Sequence, residues 1–318
     1  MDIKVRLLRR SDIAQVVSGW NKCLHYDRLT EEMFESTIFD DPNYEKEGNF
    51  VATRNDRIVG FVAAVAREGI AGRDGAGRAH ERDFGYIKGL FVLKKYDEKE
   101  DTKRYVLERA SKFLKSKGKK MARVVKYTGR YFFPGIDARY EEELRFYREN
   151  GFEEIDAEED VTVDLNAFQP TEYQRKAGQQ IEKLGIIIKP YQPGFLNEMR
   201  RFADKLSYPQ WFPKGWESNF AKKGYTIVAL LGTEVVGWAT FGRSRTSKEW
   251  YFGPIAVLEE FGRRGIGSCL LLESMLRMKA LGASNVTAGW ANVPFYLKND
   301  WIVSRRYVVF QKEIADMQ

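Results

Sequence analysis

Histidine and cysteine are scarce: the 318 residues hold two of each. So few imidazole and thiolate donors exclude a zinc-type Cys/His cluster. Cys23 and Cys269 lie far apart in apolar surroundings, so two separate buried thiols are expected rather than a disulfide. No apolar run approaches the roughly 18 residues a membrane-spanning helix needs. The opening MDIKVRLLRRSD alternates like a strand and lacks the apolar centre of a secretory signal; a soluble cytoplasmic protein is expected. Long Lys/Arg runs and nucleic-acid-binding signatures are missing too, so nucleic acid is not an expected partner. The densest basic cluster, KSKGKK at 115–120, ends an amphipathic helix, where cations complement the helix dipole.

What the chain does have is apolar material for two cores, with 43% hydrophobic and 14% aromatic residues. Its net charge of +7 is unevenly spread. Residues 1–169 carry 32 acidic and 31 basic side chains, and the remainder 13 and 21. An anionic partner therefore belongs with the second half.

An internal repeat organises the chain. YIKGLFVLKKY (86–96) and YFGPIAVLEEF (251–261) align without a gap, pairing Tyr86 with Tyr251, Val92 with Val257 and Leu93 with Leu258. RIVGFVAA (57–64) mirrors EVVGWATF (234–241), and FYRENGF (146–152) mirrors FYLKNDW (295–301). Each copy reads as a strand, two helices, a hairpin, a long strand, a helix, a strand, a short helix and a final strand or hairpin. The expected division is 1–165, a polar and partly helical linker at 166–185, and 186–318.

The motif that carries chemistry is GRRGIG (262–267), between the apolar strand WYFGPIAVL and the apolar helix SCLLLESMLRMKALG. A strand turning straight into a helix leaves the first N–H groups of that helix unpaired, which suits a phosphate. Gly265 and Gly267 present no side chain to an approaching pyrophosphate, and Arg263 and Arg264 add positive charge. Two rival glycine motifs fail: the dinucleotide fingerprint needs glycine where Leu270 stands, and the P-loop needs Gly-Lys-Ser/Thr.

The strand, RRGIGSCLLL, the shorter strand and the FY-containing helix together resemble the GNAT acyltransferase superfamily. The likeness runs over nearly the whole chain as two units, which implies an α+β fold of two tandem GNAT-like domains, each a mixed, mostly antiparallel sheet flanked by helices. The family pattern Gln/Arg-x-x-Gly-x-Gly/Ala has Gly262 in its first place here, which removes one side chain but no main-chain donor. The resemblance implies acetyl-CoA as cosubstrate. Its pantetheine arm would pair with the backbone of Ile255, Ala256 and Val257. Its pyrophosphate would meet Arg263, Arg264, Gly265, Ile266, Gly267 and Ser268, with Asn292 as a further ligand. Pro254, lacking an N–H, is expected to mark an irregularity in the strand.

A second glycine string, GRDGAG (72–77), precedes its repeat's long strand and is expected to be a hairpin loop. By alignment the counterpart of GRRGIG is DEKEDT (97–102), with Glu100 in the place of Gly265. One carboxylate about 4 Å from a phosphate costs roughly 4 kcal/mol at an effective dielectric of about 20. The first copy is therefore expected not to bind CoA in the family's manner.

Acetyl transfer to an amine needs a proton for the departing thiolate and a base for the amine. The resemblance matches Tyr296 to the family's proton-donating tyrosine; the same tyrosine could instead be a core residue, as its twin Tyr147 is expected to be. Glu249, through water, is the candidate base, since no histidine follows His80. The aromatic stretch SYPQWFPKGWESNF (207–220) could form an acceptor wall or a packing lid. The function expected is acetyl-CoA-dependent N-acetyl transfer to a primary amine, the alternative a non-catalytic acyl-CoA-binding protein of the same fold.

Overall fold

The computed structural model describes residues 3–67, 82–93, 99–127, 129–206, 225–243 and 249–316. GRDGAG, His80, Asp97, Glu98 and the 207–220 stretch lie outside them.

In chain order the strands are β1 (Lys4–Leu7), β2 (Asn49–Arg54), β3 (Arg57–Ala66), β4 (Phe84–Val92), β5 (Met121–Val124), β6 (Ile136–Asp137), β7 (Glu153–Asp164), β8 (Ile186–Pro190), β9 (Thr226–Leu231), β10 (Glu234–Arg243), β11 (Trp250–Val257), β12 (Asn285–Ala288) and β13 (Ile302–Glu313). The helices are α1 (Ile13–Cys23), α2 (Glu31–Ile38), α3 (Lys99–Ser116), α4 (Glu141–Glu149), α5 (Glu172–Lys183), α6 (Leu196–Lys205), α7 (Ile266–Ala280) and α8 (Val293–Leu297).

Two units result, and each takes its last strand from the other half of the sequence. The first combines Met1–Gly69 and Arg78–Glu158 with Arg305–Gln318; the second contains Glu159–Ser304. In the first, β1–β2–β3–β4 is antiparallel, β4 and β5 are parallel, and β13, the chain's last strand, pairs antiparallel with β5 and β6. In the second, β8–β9–β10–β11 is antiparallel, β11 and β12 are parallel, and β7 closes the sheet against β12 from Asn285↔Asp164 to Ala288↔Val161. The contact boundary thus differs from a simple cut after residue 165: alternation marks a strand but not the neighbour its backbone will find.

The central strands β3 and β10 are buried on both faces, as runs such as RIVGFVAAVA require. Val62, Ala64 and Ala66 of β3 face α3, packing with Val106, Ala110 and Leu114. Phe61 and Ala63 face α1 and α2, against Val16, Trp20 and Phe34. In the second unit, Ala229, Ala239 and Phe252 pack on Leu270, Leu271 and Met275 of α7, while Val228, Leu230 and Trp238 cover Met199 and Phe202 of α6. The stretch expected as a linker is part of this core. Thr171 caps α5 by accepting from Gln174 N, whose side chain accepts in return from Thr171 N, and Ala177 and Ile181 are buried.

Candidate functional site

Both long strands carry a bulge. In β11 the register passes from Ala239↔Ile255 to Phe241↔Phe252, so Gly253 and Pro254 together face Thr240. Thr240 Oγ1 donates to Gly253 O at 2.8 Å and fastens the bulge. Pro254 therefore does mark the irregularity. Thr240 itself left no sequence signal, because its partner lies across the ladder.

Past the bulge β11 keeps one neighbour. Ile255, Ala256 and Val257 pair with Ala239, Trp238 and Gly237 of β10, whereas β12 meets β11 only at Trp250↔Val286 and Tyr251↔Thr287. The far edge of Ile255–Val257 is left with free main-chain groups among the described residues, and their side chains are only half-buried. An extended ligand can add to such an edge as a further strand.

That open edge leads to the start of α7. Arg263 and Gly265 take left-handed conformations, with φ of 58° and 85°, and no side chain caps the helix. The early N–H groups are consequently available to an anion, with the positive end of the helix dipole behind them. Gly265 has two reasons to be glycine that the sequence did not disclose: its φ, and a Cβ there would lie 2.8 Å from the Ala177 side chain of α5. Gly267 has ordinary φ, and a Cβ there would come 3.3 Å from Phe295. Arg263 and Arg264 are exposed beside the turn, Arg264 lying 5.5 Å from the Phe261 ring centre, while Ile266 and Ser268 are buried.

Tyr296 on α8 is 6% exposed, its ring 5.1 Å from that of Trp301 and 6.3 Å from that of Phe252. Phe252 precedes the bulge, so the phenol belongs to the region where β11 and β12 part. Burial pushes the Tyr296 phenol well above its ordinary pKa, so it stays protonated at neutral pH. Asn292 is exposed at the N-cap of α8. Glu249 is exposed, one residue ahead of β11. Alternation puts it on the Tyr251 side of the strand, opposite Phe252, and roughly 10 Å along the chain direction from it. Glu249 and Tyr296 are thus not brought side by side.

Among the described residues no group of His, Cys, Asp and Glu could hold a metal ion. None of their helices is long and apolar enough to cross a membrane. Cys23 and Cys269 are not joined in a disulfide, and burial raises the Cys269 thiol to about 11.

Residues 193–299 match the acetyltransferase (GNAT) family. No curated protein matches the sequence. Among solved structures, a GCN5-related glucosamine N-acetyltransferase region of a fungal multi-domain GH3 β-N-acetylglucosaminidase superposes over 98% of this chain, with a TM-score of 0.79 and 17% identity. The match spans 38% of that larger protein. A GCN5-related N-acetyltransferase from Sphaerobacter thermophilus covers 98% of this chain and 96% of its own (TM-score 0.69, 14% identity). A tandem GNAT protein from the clavulanic acid biosynthesis pathway covers 98% and 99% (TM-score 0.67, 12% identity). Residues 193–299 thus carry the signature of a GNAT-family acetyltransferase domain, and the chain as a whole has the fold of tandem GNAT structures.

Proposed function

We propose that the second unit transfers the acetyl group of acetyl-CoA to a primary amine. The observation that carries this reading is one continuous feature: the unpaired edge of Ile255–Val257 running into an uncapped, glycine-lined helix start flanked by Arg263 and Arg264. An edge with spare donors and acceptors suits the amide-bearing pantetheine arm. A helix N-terminus with two arginines suits the pyrophosphate, and Asn292 at the head of α8 is the further ligand.

In the reaction the amine nitrogen bonds to the thioester carbonyl carbon as the C–S bond breaks. The sulfur takes a proton and the amine gives one up. Tyr296 supplies the sulfur's proton; a phenol kept protonated by burial suits a donor and not a base. Glu249, exposed ahead of β11, serves as proton acceptor through water.

The likeness to a glucosamine N-acetyltransferase region puts glucosamine first in an amine panel. Release of free thiol from acetyl-CoA, dependent on one amine of that panel, is the expected result. CoA binding without thiol release on any amine would favour the non-catalytic reading instead. A protein that does not bind CoA would end both.

A further inference from the structure

The two units differ in how the fifth strand leaves the sheet. In the first, β4 and β5 pair through four positions, Phe84↔Met121 to Ile87↔Val124, and Val125 N then donates to Ile87 O at 2.9 Å. The strand exit stays tied to β4. In the second, β11 and β12 pair through two positions and then separate.

The second exit is tied to a different strand. Trp290 N donates to Asp160 Oδ1 at 3.1 Å, and Ala291 N donates to Glu159 O at 2.8 Å, both acceptors lying on β7. Ser304 Oγ donates to Asp160 O at 3.2 Å, which holds the same end of β7 from the opposite side. A Cβ on Gly289 would lie 3.2 Å from Asp160 Oδ1, so the loop backbone is pressed against that carboxylate. Trp290 is left-handed, with φ of 52°. For a bulky L-residue that conformation is unfavourable and persists only where neighbours impose it.

We propose that Asp160 is a positioning residue: its carboxylate draws the turn between β12 and α8 onto β7 and away from β11, holding open the strand edge at Ile255–Val257. It touches neither substrate nor reacting atom and acts through Trp290 and the start of α8. The consequence for the acyl donor rests on the function proposed above; the clamp itself does not.

Two measurements on the full chain separate these levels. Amide hydrogen exchange of the ligand-free protein reads the clamp. Asp160→Ala should speed exchange in a peptide covering 289–297 about tenfold or more, as loss of a hydrogen bond to a charged acceptor implies. Asp160→Asn, which keeps an acceptor oxygen, should restore most of the protection. Unchanged exchange in Asp160→Ala overturns the proposal, as does equal loss in both variants. Calorimetry with CoA reads the consequence: affinity should fall about tenfold in Asp160→Ala and stay within about threefold in Asp160→Asn. A purely structural role would lower the melting temperature of Asp160→Ala and leave CoA affinity unchanged, and that result also overturns the proposal. Failure of the wild-type chain to bind CoA would count against the proposed function, while the exchange data would still decide the clamp.

Discussion

The two units share a bulged long strand followed by a helix, yet one has filled the region that the other leaves open. In the first, Leu90, Phe91 and Val92 after the bulge are buried, and Trp20 lies so close to Gly89 that a Cβ there would come within 2.6 Å of its ring. Lys103, aligned with Ser268, is fully buried on the first turns of α3, its Nζ 2.7 Å from Glu143 Oε2 and 4.1 Å from the Phe146 ring centre. In the second, the strand residues past the bulge are half-exposed and Ser268 is small. The difference teaches that the two units are distinguished here by what fills the region after the bulge and not by charge alone. The repulsion expected from Glu100 is weaker than a bare Coulomb figure, because that side chain is 47% exposed and screened, and Lys99 lies 3.7 Å away.

The comparison breaks most sharply at the paired tyrosines. Tyr147 is packed on Phe310 at 5.5 Å in the first core, and Tyr296 is packed on Trp301 in the second. Tyr296→Phe should lower kcat roughly 10² to 10⁴-fold, the range for a general acid, with CoA affinity retained by calorimetry. Tyr147→Phe should leave kcat within about twofold. Equal behaviour of the two variants would make both tyrosines packing residues.

Next comes the glycine turn at 262–267. Gly265 is a poor probe, since any side chain there meets its left-handed φ and Ala177. Gly267→Asp tests charge more cleanly and should weaken CoA binding about 10 to 100-fold, less than the unscreened estimate because the turn is exposed. The reverse change, Glu100→Gly, should create no second site by calorimetry, because Trp20 and the Lys103–Glu143 pair remain. A second equivalent of CoA bound by Glu100→Gly would show that charge alone separates the units.

A smaller effect concerns how the first unit grips the chain's last strand. Arg305 on β13 reaches Asp27 Oδ1 at 2.5 Å and Asp137 Oδ2 at 2.6 Å. Burial pushes Asp27 up to about 6 against the pull of Arg305. Burial also opposes ionisation of Asp137, but hydrogen bonds from Arg139 and Arg305 prevail and hold it at about 2. The signs are opposite. Stability contributed by Asp27 is full below about 3.8 and is lost as pH rises through 6, whereas that from Asp137 is full above about 3.8 and is lost as pH falls toward 2. Asp27→Asn should therefore gain on the wild type by about 2–3 kcal/mol between pH 4 and 7. Paired thermal melts at the two pH values check this; a constant difference would mean that Asp27 does not titrate there. Smallest of all, Glu249→Gln should lower kcat by less than about tenfold with CoA affinity retained, whereas an unaltered kcat removes Glu249 as proton acceptor.

Much of the local geometry of the candidate site was legible because its determinants are local. Glycines between an apolar strand and an apolar helix announce the turn at 262–267, and Pro254 announces the bulge. Asp160 was not legible, since nothing in AEEDVTVD distinguishes the one acid whose carboxylate meets a turn 130 residues away. Lys103 was equally hidden, one base among many in a charged helix until Glu143 and Phe146 close over it.

The sequence by itself determined the elements and their duplication: period-2 and helical patterns, aligned across two copies, prescribe strands and helices wherever the chain goes, since side-chain periodicity follows from backbone geometry alone. Only the tertiary structure decided where each copy ends. The strand FEEIDAEEDVTVD completes the second sheet and WIVSRRYVVFQKE the first. A strand's alternation shows that it must pair, but register and partner are fixed by backbone hydrogen bonds and packing between residues far apart in the chain.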